Sequence, residues 1–101
     1  MVYKLQHAIN INVEDEHQWD SIKKRINGVY QGFFNRLLEQ HPDLTKSEVR
    51  LAALLKINLT NKEIAGILNI SPKGIEKSRS RLRKKLHLNP GDKMEAYILA
   101  I

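Results

Sequence analysis

Basic side chains are concentrated in one segment of this chain. Residues 71–90 contain seven lysines and arginines and a single acid, Glu76, so the segment alone carries the +6 net charge of the whole 101-residue protein. Ammonium and guanidinium groups donate hydrogen bonds to phosphate oxygens and to guanine O6 and N7, and a carboxylate accepts from cytosine N4. A positive excess confined to one segment therefore predicts a surface that binds a polyanion.

The spacing inside this segment predicts a helix with an apolar side and a polar side. At roughly 100° per residue, Ile75, Leu82 and Leu86 lie within about 20° of one line and form a narrow inward stripe. Arg79 lies near the edge of this inward stripe. An ion pair with a carboxylate such as Glu48 or Glu63 and a contact with DNA explain its position equally well. The side chains expected to reach base edges are Lys73, Glu76, Lys77, Ser80 and Arg81.

A second group of side chains is expected to contact phosphate groups. Thr60, Asn61 and Lys62 open the helix before the basic one, where unpaired backbone N–H groups and the helix dipole attract anions. A plain capping box with a solvated lysine explains these three residues equally well. The full set of expected phosphate contacts is Thr60, Asn61, Lys62, Ser71, Arg83, Lys84 and Lys85.

Three helix starts share one capping pattern. Thr45 precedes Glu48 by three residues, Thr60 precedes Glu63 by three, and Ser71 is followed by a proline at the first helical position. These starts predict helices over 45–57, 60–68 and 72–86, with asparagines 58 and 69 in the turns between them. A last amphipathic helix is expected over 92–101, after a Pro-Gly break. A short helix, a tight turn and a basic helix form the outline of a helix-turn-helix.

The N-terminal part of the chain follows different patterns. Apolar residues at steps of three and four from Trp19 to Leu37 predict one long amphipathic helix over 15–40, which ends before Pro42. Alternation of isoleucine, valine and asparagine suggests a short extended segment at 8–13. The chain thus divides into an N-terminal extension, 1–43, and a helix-turn-helix domain, 44–101. The fold class is all-α.

Composition argues against several other classes of protein. There is no cysteine, the four histidines are scattered without partners at metal or triad spacing, and no glycine-rich phosphate loop occurs. We therefore expect no enzyme activity, metal, cofactor or small-molecule substrate. No apolar run approaches the roughly 18 residues that a membrane span needs, and no signal-peptide pattern is present, so a cytoplasmic location is expected.

The segment 44–88 resembles the LuxR/GerE-type helix-turn-helix of bacterial transcription regulators. The resemblance is carried by the opening Leu-Thr-x-x-Glu, by Asn-Lys-Glu-Ile-Ala at 61–65, by Leu-x-Ile-Ser at 68–71 and by the closing Lys-Leu at 85–86. The sequence departs from the usual pattern at Asn58, Gly74 and Ser78, where Gly, Thr and His respectively are common. The last two departures weaken any inference about which bases are read.

The resemblance implies a four-helix bundle in which helix 72–86 is the recognition helix in the major groove. By position it implies base-facing roles for Glu76, Lys77 and Ser80, and backbone roles for Asn61, Lys62 and Lys84. It also implies that the final helix often serves as a dimer contact, with Met94, Tyr97, Ile98 and Ile101 as candidates. A subgroup with a similar preceding helix forms the output domain of large sensor-regulators, so we expect this chain to be part of a longer protein.

Two other interpretations were weighed against DNA binding. A membrane-surface helix needs a broad apolar face with aromatic residues, which 72–88 lacks. A helix-turn-helix-shaped module that contacts a protein partner stays open, because fold does not fix function. The concentrated charge favours DNA binding over both of these interpretations. Our hypothesis is therefore a sequence-specific transcriptional regulator that binds double-stranded DNA, and we expect it to act as a homodimer.

Overall fold

The structure is a computed structural model that describes residues 16–101, with side chains from residue 18 onward. The extended segment expected at 8–13 lies outside the described residues. Over 16–101 the chain forms six α-helices and no strand, which confirms the all-α class. They are α1 (Glu16–Val29), α2 (Phe33–Gln40), α3 (Lys46–Lys56), α4 (Asn61–Leu68), α5 (Pro72–Lys85) and α6 (Met94–Leu99).

The three predicted capping residues begin helices α3, α4 and α5. Thr45 Oγ1 accepts from Glu48 N at 3.2 Å while Glu48 Oε1 accepts from Thr45 N at 2.8 Å, and Thr60 and Glu63 repeat this reciprocal pair. Ser71 Oγ accepts from the backbone N of residue 74 at 3.0 Å. These bonds satisfy backbone N–H groups that have no partner within the helix, so the chain starts each helix at a defined residue.

Left-handed residues end three of these helices. Asn58 and Asn69 have φ values of 65° and 58°, as expected for asparagine in the turns. His87 has φ 60° and follows α5, a turn that the sequence did not indicate. The compact turns bring α4 against α5 and place α3 against both α5 and α6.

One apolar core joins the helices. It contains fully buried side chains from every helix from α1 to α6, which are Ile26, Phe33, Leu37, Leu51, Leu54, Ile64, Ile75, Leu82, Met94 and Ile98. Helix α3 lies at the centre, where six consecutive residues from Leu51 to Lys56 are buried. Helices α4 and α5 therefore rest on a support whose packing leaves little freedom to shift.

The prediction of a single helix over 15–40 is wrong, because the helix is interrupted at residues 30–32 and divided into α1 and α2. Gly32 adopts φ 80°, a left-handed conformation that favours glycine, and a Cβ there would lie 2.6 Å from Arg36 Nη1. The break reorients the chain so that adjacent Phe33 and Phe34 are both buried, with Phe34 edge-on to Trp19 at 6.2 Å. Val29, which belonged to the predicted stripe, is 72% exposed.

Helix α6 is fastened at its C-terminal end by two cations. Lys56 Nζ donates to Leu99 O at 2.7 Å, and Arg36 Nε donates to Ile101 O at 2.6 Å. Lys56 lies 4.8 Å from the Tyr30 ring, and burial, with a smaller contribution from Arg36, lowers the pKa of this lysine. Cations near the last carbonyls of a helix stabilise its C-terminus. Helix α6 is thus tied to both α2 and α3.

Candidate nucleic-acid interface

Helix α5, the predicted recognition helix, is held by its apolar stripe. Ile75 and Leu82 are completely buried and Leu86 is 3% exposed, so the three predicted anchors all lie in the core. Pro72 begins the helix behind the Ser71 cap. Because these anchors share one side of the helix, the opposite side has to face away from the domain.

Every side chain expected to reach base edges lies on that exposed side. Lys73, Glu76, Lys77, Ser80 and Arg81 are all exposed, as is Lys84. Within the part of the chain that the structure describes, the cationic groups of Lys73, Lys77, Arg81 and Lys84 have no hydrogen-bond or ion-pair partner. We call these four residues the outward cations. Among residues 16–101 nothing neutralises these four charges, so they are available to an external anion.

The start of α4 presents a second exposed set of polar groups. Thr60, Asn61 and Lys62 are exposed. The capping box is present, and the hydrogen bond from the Thr60 backbone N–H to Glu63 lowers the pKa of that carboxyl. Thr60 and Glu63 therefore fill the capping role considered for this segment, and the exposed side chains of Asn61 and Lys62 lie next to that cap.

Two of the cations expected to contact phosphate donate hydrogen bonds within the protein instead. Arg83 Nη1 donates to Asn89 O at 3.1 Å and to Asp92 O at 2.7 Å, which holds the loop that leads into α6. Lys85 Nζ donates to Asp43 O at 2.9 Å and lies 3.0 Å from Glu48 Oε1. The sequence predicted that Arg83 and Lys85 contact phosphate, but both lie within reach of acceptors from neighbouring loops and from α3.

The Glu48 carboxylate is stabilised from several directions. Burial raises its pKa, but hydrogen bonds from the Thr45 backbone and from Lys85 outweigh that effect and lower the pKa overall. The residue therefore serves both as the third residue of a capping box and as the counter-charge of Lys85. These shared roles connect the start of α3 to the end of α5.

Arg79 makes a structural ion pair, but with a partner that the sequence did not indicate. Its Nη2 pairs with Glu95 Oε2 on α6, and its Nη1 donates to Asn61 Oδ1 at 3.1 Å. Glu48 and Glu63, the partners considered from sequence, are occupied elsewhere. Only the placement of α6 beside α5 reveals Glu95, since nothing in the local sequence relates residues 79 and 95.

The dimer candidates of the last helix belong largely to the core of the protein itself. Met94 and Ile98 are 1% and 0% exposed. Tyr97 and Ile101 are half-buried, and the Tyr97 hydroxyl lies 2.7 Å from His41 Nε2. A dimer contact through Met94 and Ile98 is therefore excluded in this arrangement, because both fill the space between α6 and α3. The face of α6 that is open to a partner carries Ala96, Leu99 and Ala100.

The part of the chain that the structure describes contains neither a candidate metal site nor a candidate membrane-spanning helix. No group of three or more histidine or acidic side chains that could hold a metal occurs in residues 16–101. None of the helices within that range is long and apolar enough to cross a membrane. The exposed cationic surface is the feature that points to a ligand.

Comparison with known proteins supports a nucleic-acid interface. Searches of curated proteins and of solved structures found no match. A family model described as bacterial regulatory proteins, luxR family, matches residues 42–100, which is more than half of the chain and includes α3, α4, α5 and α6. The helix-turn-helix of this family binds double-stranded DNA and regulates transcription. The chain therefore belongs to the luxR family and is a DNA-binding transcription regulator.

Proposed function

We propose that this protein reads a specific DNA sequence by inserting α5 into the major groove. The observation that carries the proposal is the row of outward cations, Lys73, Lys77, Arg81 and Lys84, exposed directly opposite buried anchors. A major groove about 12 Å wide admits one α-helix, and its base edges present acceptors to lysine and arginine. No rearrangement of the domain is needed to expose these groups.

Base-reading and phosphate-binding roles follow from position on the surface. We assign base contacts to Lys73, Glu76, Lys77, Ser80 and Arg81, which project from the exposed side of α5. We assign phosphate contacts to Lys84, to Ser71 at the start of α5, and to Thr60, Asn61 and Lys62 at the start of α4. The Ser71 and Thr60 hydroxyls each accept one hydrogen bond from their own helix and keep an O–H to donate. Arg83 and Lys85 act indirectly in this scheme, because their hydrogen bonds hold the loops around α5.

We also propose that the domain acts as a homodimer and as the output part of a longer sensor-regulator. One short helix contacts few base pairs, so useful specificity normally requires two copies on half-sites about one helical turn apart. The exposed face of α6 formed by Ala96, Leu99 and Ala100 is the surface we assign to that contact. Leu99 is 46% exposed although it is a large apolar residue.

The dimer is tested by analytical ultracentrifugation of the wild type and of Leu99→Glu. A charge at this exposed position disrupts an apolar contact between copies but leaves the core intact. We expect a monomer for the variant and a dimer for the wild type, with the same helical signal in far-UV circular dichroism. A wild type that stays monomeric at high concentration and on a DNA duplex with two half-sites contradicts the proposed dimer.

DNA reading is tested by selecting bound duplexes from a random pool and then measuring affinity against salt. The four outward cations and Lys62 bring about five positive charges close to the DNA backbone, which predicts that affinity falls roughly a hundredfold or more between 50 and 200 mM salt. The selected pool should contain two related half-sites. A flat salt dependence together with an unselected pool contradicts DNA reading and favours a module that contacts a protein partner.

A further inference from the structure

Three helices meet at the guanidinium group of Arg79. This residue lies on α5, and it contacts Asn61 at the first position of α4 and Glu95 in the first turn of α6. Its side chain is only 20% exposed, and it lies beside the surface assigned to DNA. Arg79 therefore connects Asn61, which we expect to contact phosphate, with α6, which carries none of the side chains assigned to DNA.

The chemistry of the pair fixes the orientation of the Asn61 amide. Arginine offers only donors, so the atom of Asn61 that faces Nη1 at 3.1 Å has to be the oxygen. The amide hydrogens on Nδ2 then point away from Arg79. Asn61 is exposed, so these hydrogens are open to an acceptor outside the protein. A phosphate oxygen is such an acceptor.

Glu95 holds the guanidinium in place and balances its charge. The hydrogen bond from Arg79 lowers the pKa of Glu95 against the opposing effect of burial, which keeps the carboxylate charged at neutral pH. Arg83 adds a second attachment, because its bonds to Asn89 O and Asp92 O position the loop before α6. The placement of α6 therefore determines the placement of Arg79.

We propose that Arg79, held by Glu95, is a positioning residue for DNA binding that orients the Asn61 amide toward a phosphate. The inference rests on the proposed phosphate contact of Asn61. It assigns to α6 a role in the affinity of α4 for the DNA backbone, transmitted by one guanidinium group. We assign Arg79 no DNA contact of its own, because its side chain is largely buried and its guanidinium lies between Asn61 and Glu95.

A double-mutant cycle on the selected duplex tests this role. Arg79→Lys keeps the charge but cannot bridge two acceptors in the way that the guanidinium fork does. We expect Arg79→Lys to weaken binding by roughly fivefold, about the effect of one hydrogen bond, and Asn61→Ala to do the same. In the Asn61→Ala background, Arg79→Lys should change affinity less than about twofold, because the group on which it acts is gone.

The outcomes separate this inference from the proposed function. If the wild type does not bind the duplex, the proposed function itself fails. If the wild type binds but Asn61→Ala has no effect, or if the two substitutions weaken binding additively, DNA reading stands and the role of Arg79 is overturned. Far-UV circular dichroism of all four proteins at the temperature of the binding assay, with equal helical signal, excludes partial unfolding as the cause of a loss.

A measurement without DNA checks the same contact. The side-chain ¹⁵N–H resonances of Asn61 should move in Arg79→Lys and in Glu95→Gln, because both changes alter the group that holds the amide oxygen. They should not move in Arg81→Lys, the matched control two residues along the same helix. Asn61 resonances that are unchanged in Arg79→Lys overturn the inference even if that variant binds DNA weakly.

Discussion

The two sides of helix α5 carry the same types of cation but use them differently. On one side Lys73, Lys77, Arg81 and Lys84 are exposed and have no partner within residues 16–101. On the other side Arg79, Arg83 and Lys85 donate to oxygens of the loops and helices that surround α5. We call these three residues the inward cations.

The difference shows that charge alone does not define a nucleic-acid interface. An inward cation has acceptors within about 3 Å, so its hydrogen bonds help to fix the helix on the domain. An outward cation makes no hydrogen bond or ion pair within residues 16–101, and it repels the like charges one helical turn away. Outward cations are therefore expected to control affinity with little effect on stability, and inward cations are expected to act mainly on stability and on positioning.

The largest expected effect comes from removing three outward cations together. The variant Lys73→Ala/Lys77→Ala/Lys84→Ala should bind the selected duplex roughly a hundredfold more weakly, since it loses about three ionic contacts, and its log–log salt slope should fall accordingly. Its melting temperature should stay the same or rise slightly, because like charges are removed from one helix face. Fluorescence anisotropy and thermal unfolding check the two parts.

The matched control removes the same number of charges elsewhere. Lys24, Arg25 and Lys93 are exposed and lie outside α5, so their combined replacement by alanine changes the net charge equally. A loss of affinity in the control as large as that in the α5 variant shows that binding follows net charge and contradicts a localised interface.

The second prediction divides the outward cations by role. Lys77→Ala should reduce the preference for the selected duplex over a scrambled one, by an amount equivalent to about 1–3 kcal/mol for a base contact. Lys84→Ala should weaken both duplexes about equally and lower the salt slope by about one. The reverse pattern contradicts the assignment of Lys77 to a base and Lys84 to a phosphate.

Local features of the sequence predicted the helix-turn-helix well. The capping boxes at Thr45 and Thr60 are formed by residues three apart in the sequence. The turns at the two asparagines depend on the backbone preference of that residue alone. Both features could therefore be predicted without knowledge of the fold. The anchors Ile75, Leu82 and Leu86 were readable because a single helix places them on one side. The exposed face opposite these anchors followed from the same geometry.

Features that depend on contacts between helices were not predictable. The break at Gly32 is favoured by the burial of two adjacent phenylalanines against separate neighbours, which a pattern based on one continuous helix cannot show. The partner of Arg79 and the burial of Met94 and Ile98 depend on the position of α6 beside α3 and α5. Sequence spacing predicted the buried face of α5, but it could not show which neighbours would cover α1, α2 and α6.

The third prediction concerns an inward cation. Lys85→Ala should lower the free energy of unfolding by less than about 1 kcal/mol, because this ion pair with Glu48 is partly exposed to solvent. Affinity for the selected duplex should change less than about twofold. Chemical denaturation and anisotropy on the same sample check both values, with Lys84→Ala as the neighbouring outward control. A loss of affinity equal to that of Lys84→Ala contradicts the inward role.

The smallest expected effect is a pH dependence on the side of the domain that Lys85 contacts. Lys85 reaches the carbonyl of Asp43, two residues after His41, and the His41 ring contacts Tyr97 on α6 and faces His87 at 6.4 Å. Burial, and to a smaller extent the charge of His87, lowers the pKa of His41 below its usual 6.5. The unfolded chain therefore binds a proton more readily at this residue, so its contribution to stability is complete above pH 6.5 and is lost as pH falls below it.

The His41→Gln variant isolates this contribution. Wild-type stability, measured by urea denaturation, should decrease between pH 7.5 and 5.5, and the variant should show a smaller decrease. His87→Asn, which suits the left-handed backbone at that position, should keep most of the wild-type decrease because burial is the larger cause of the shift. If His41→Gln retains the full decrease, the pH sensitivity arises from other groups and His41 is only a packing residue between α2 and α6.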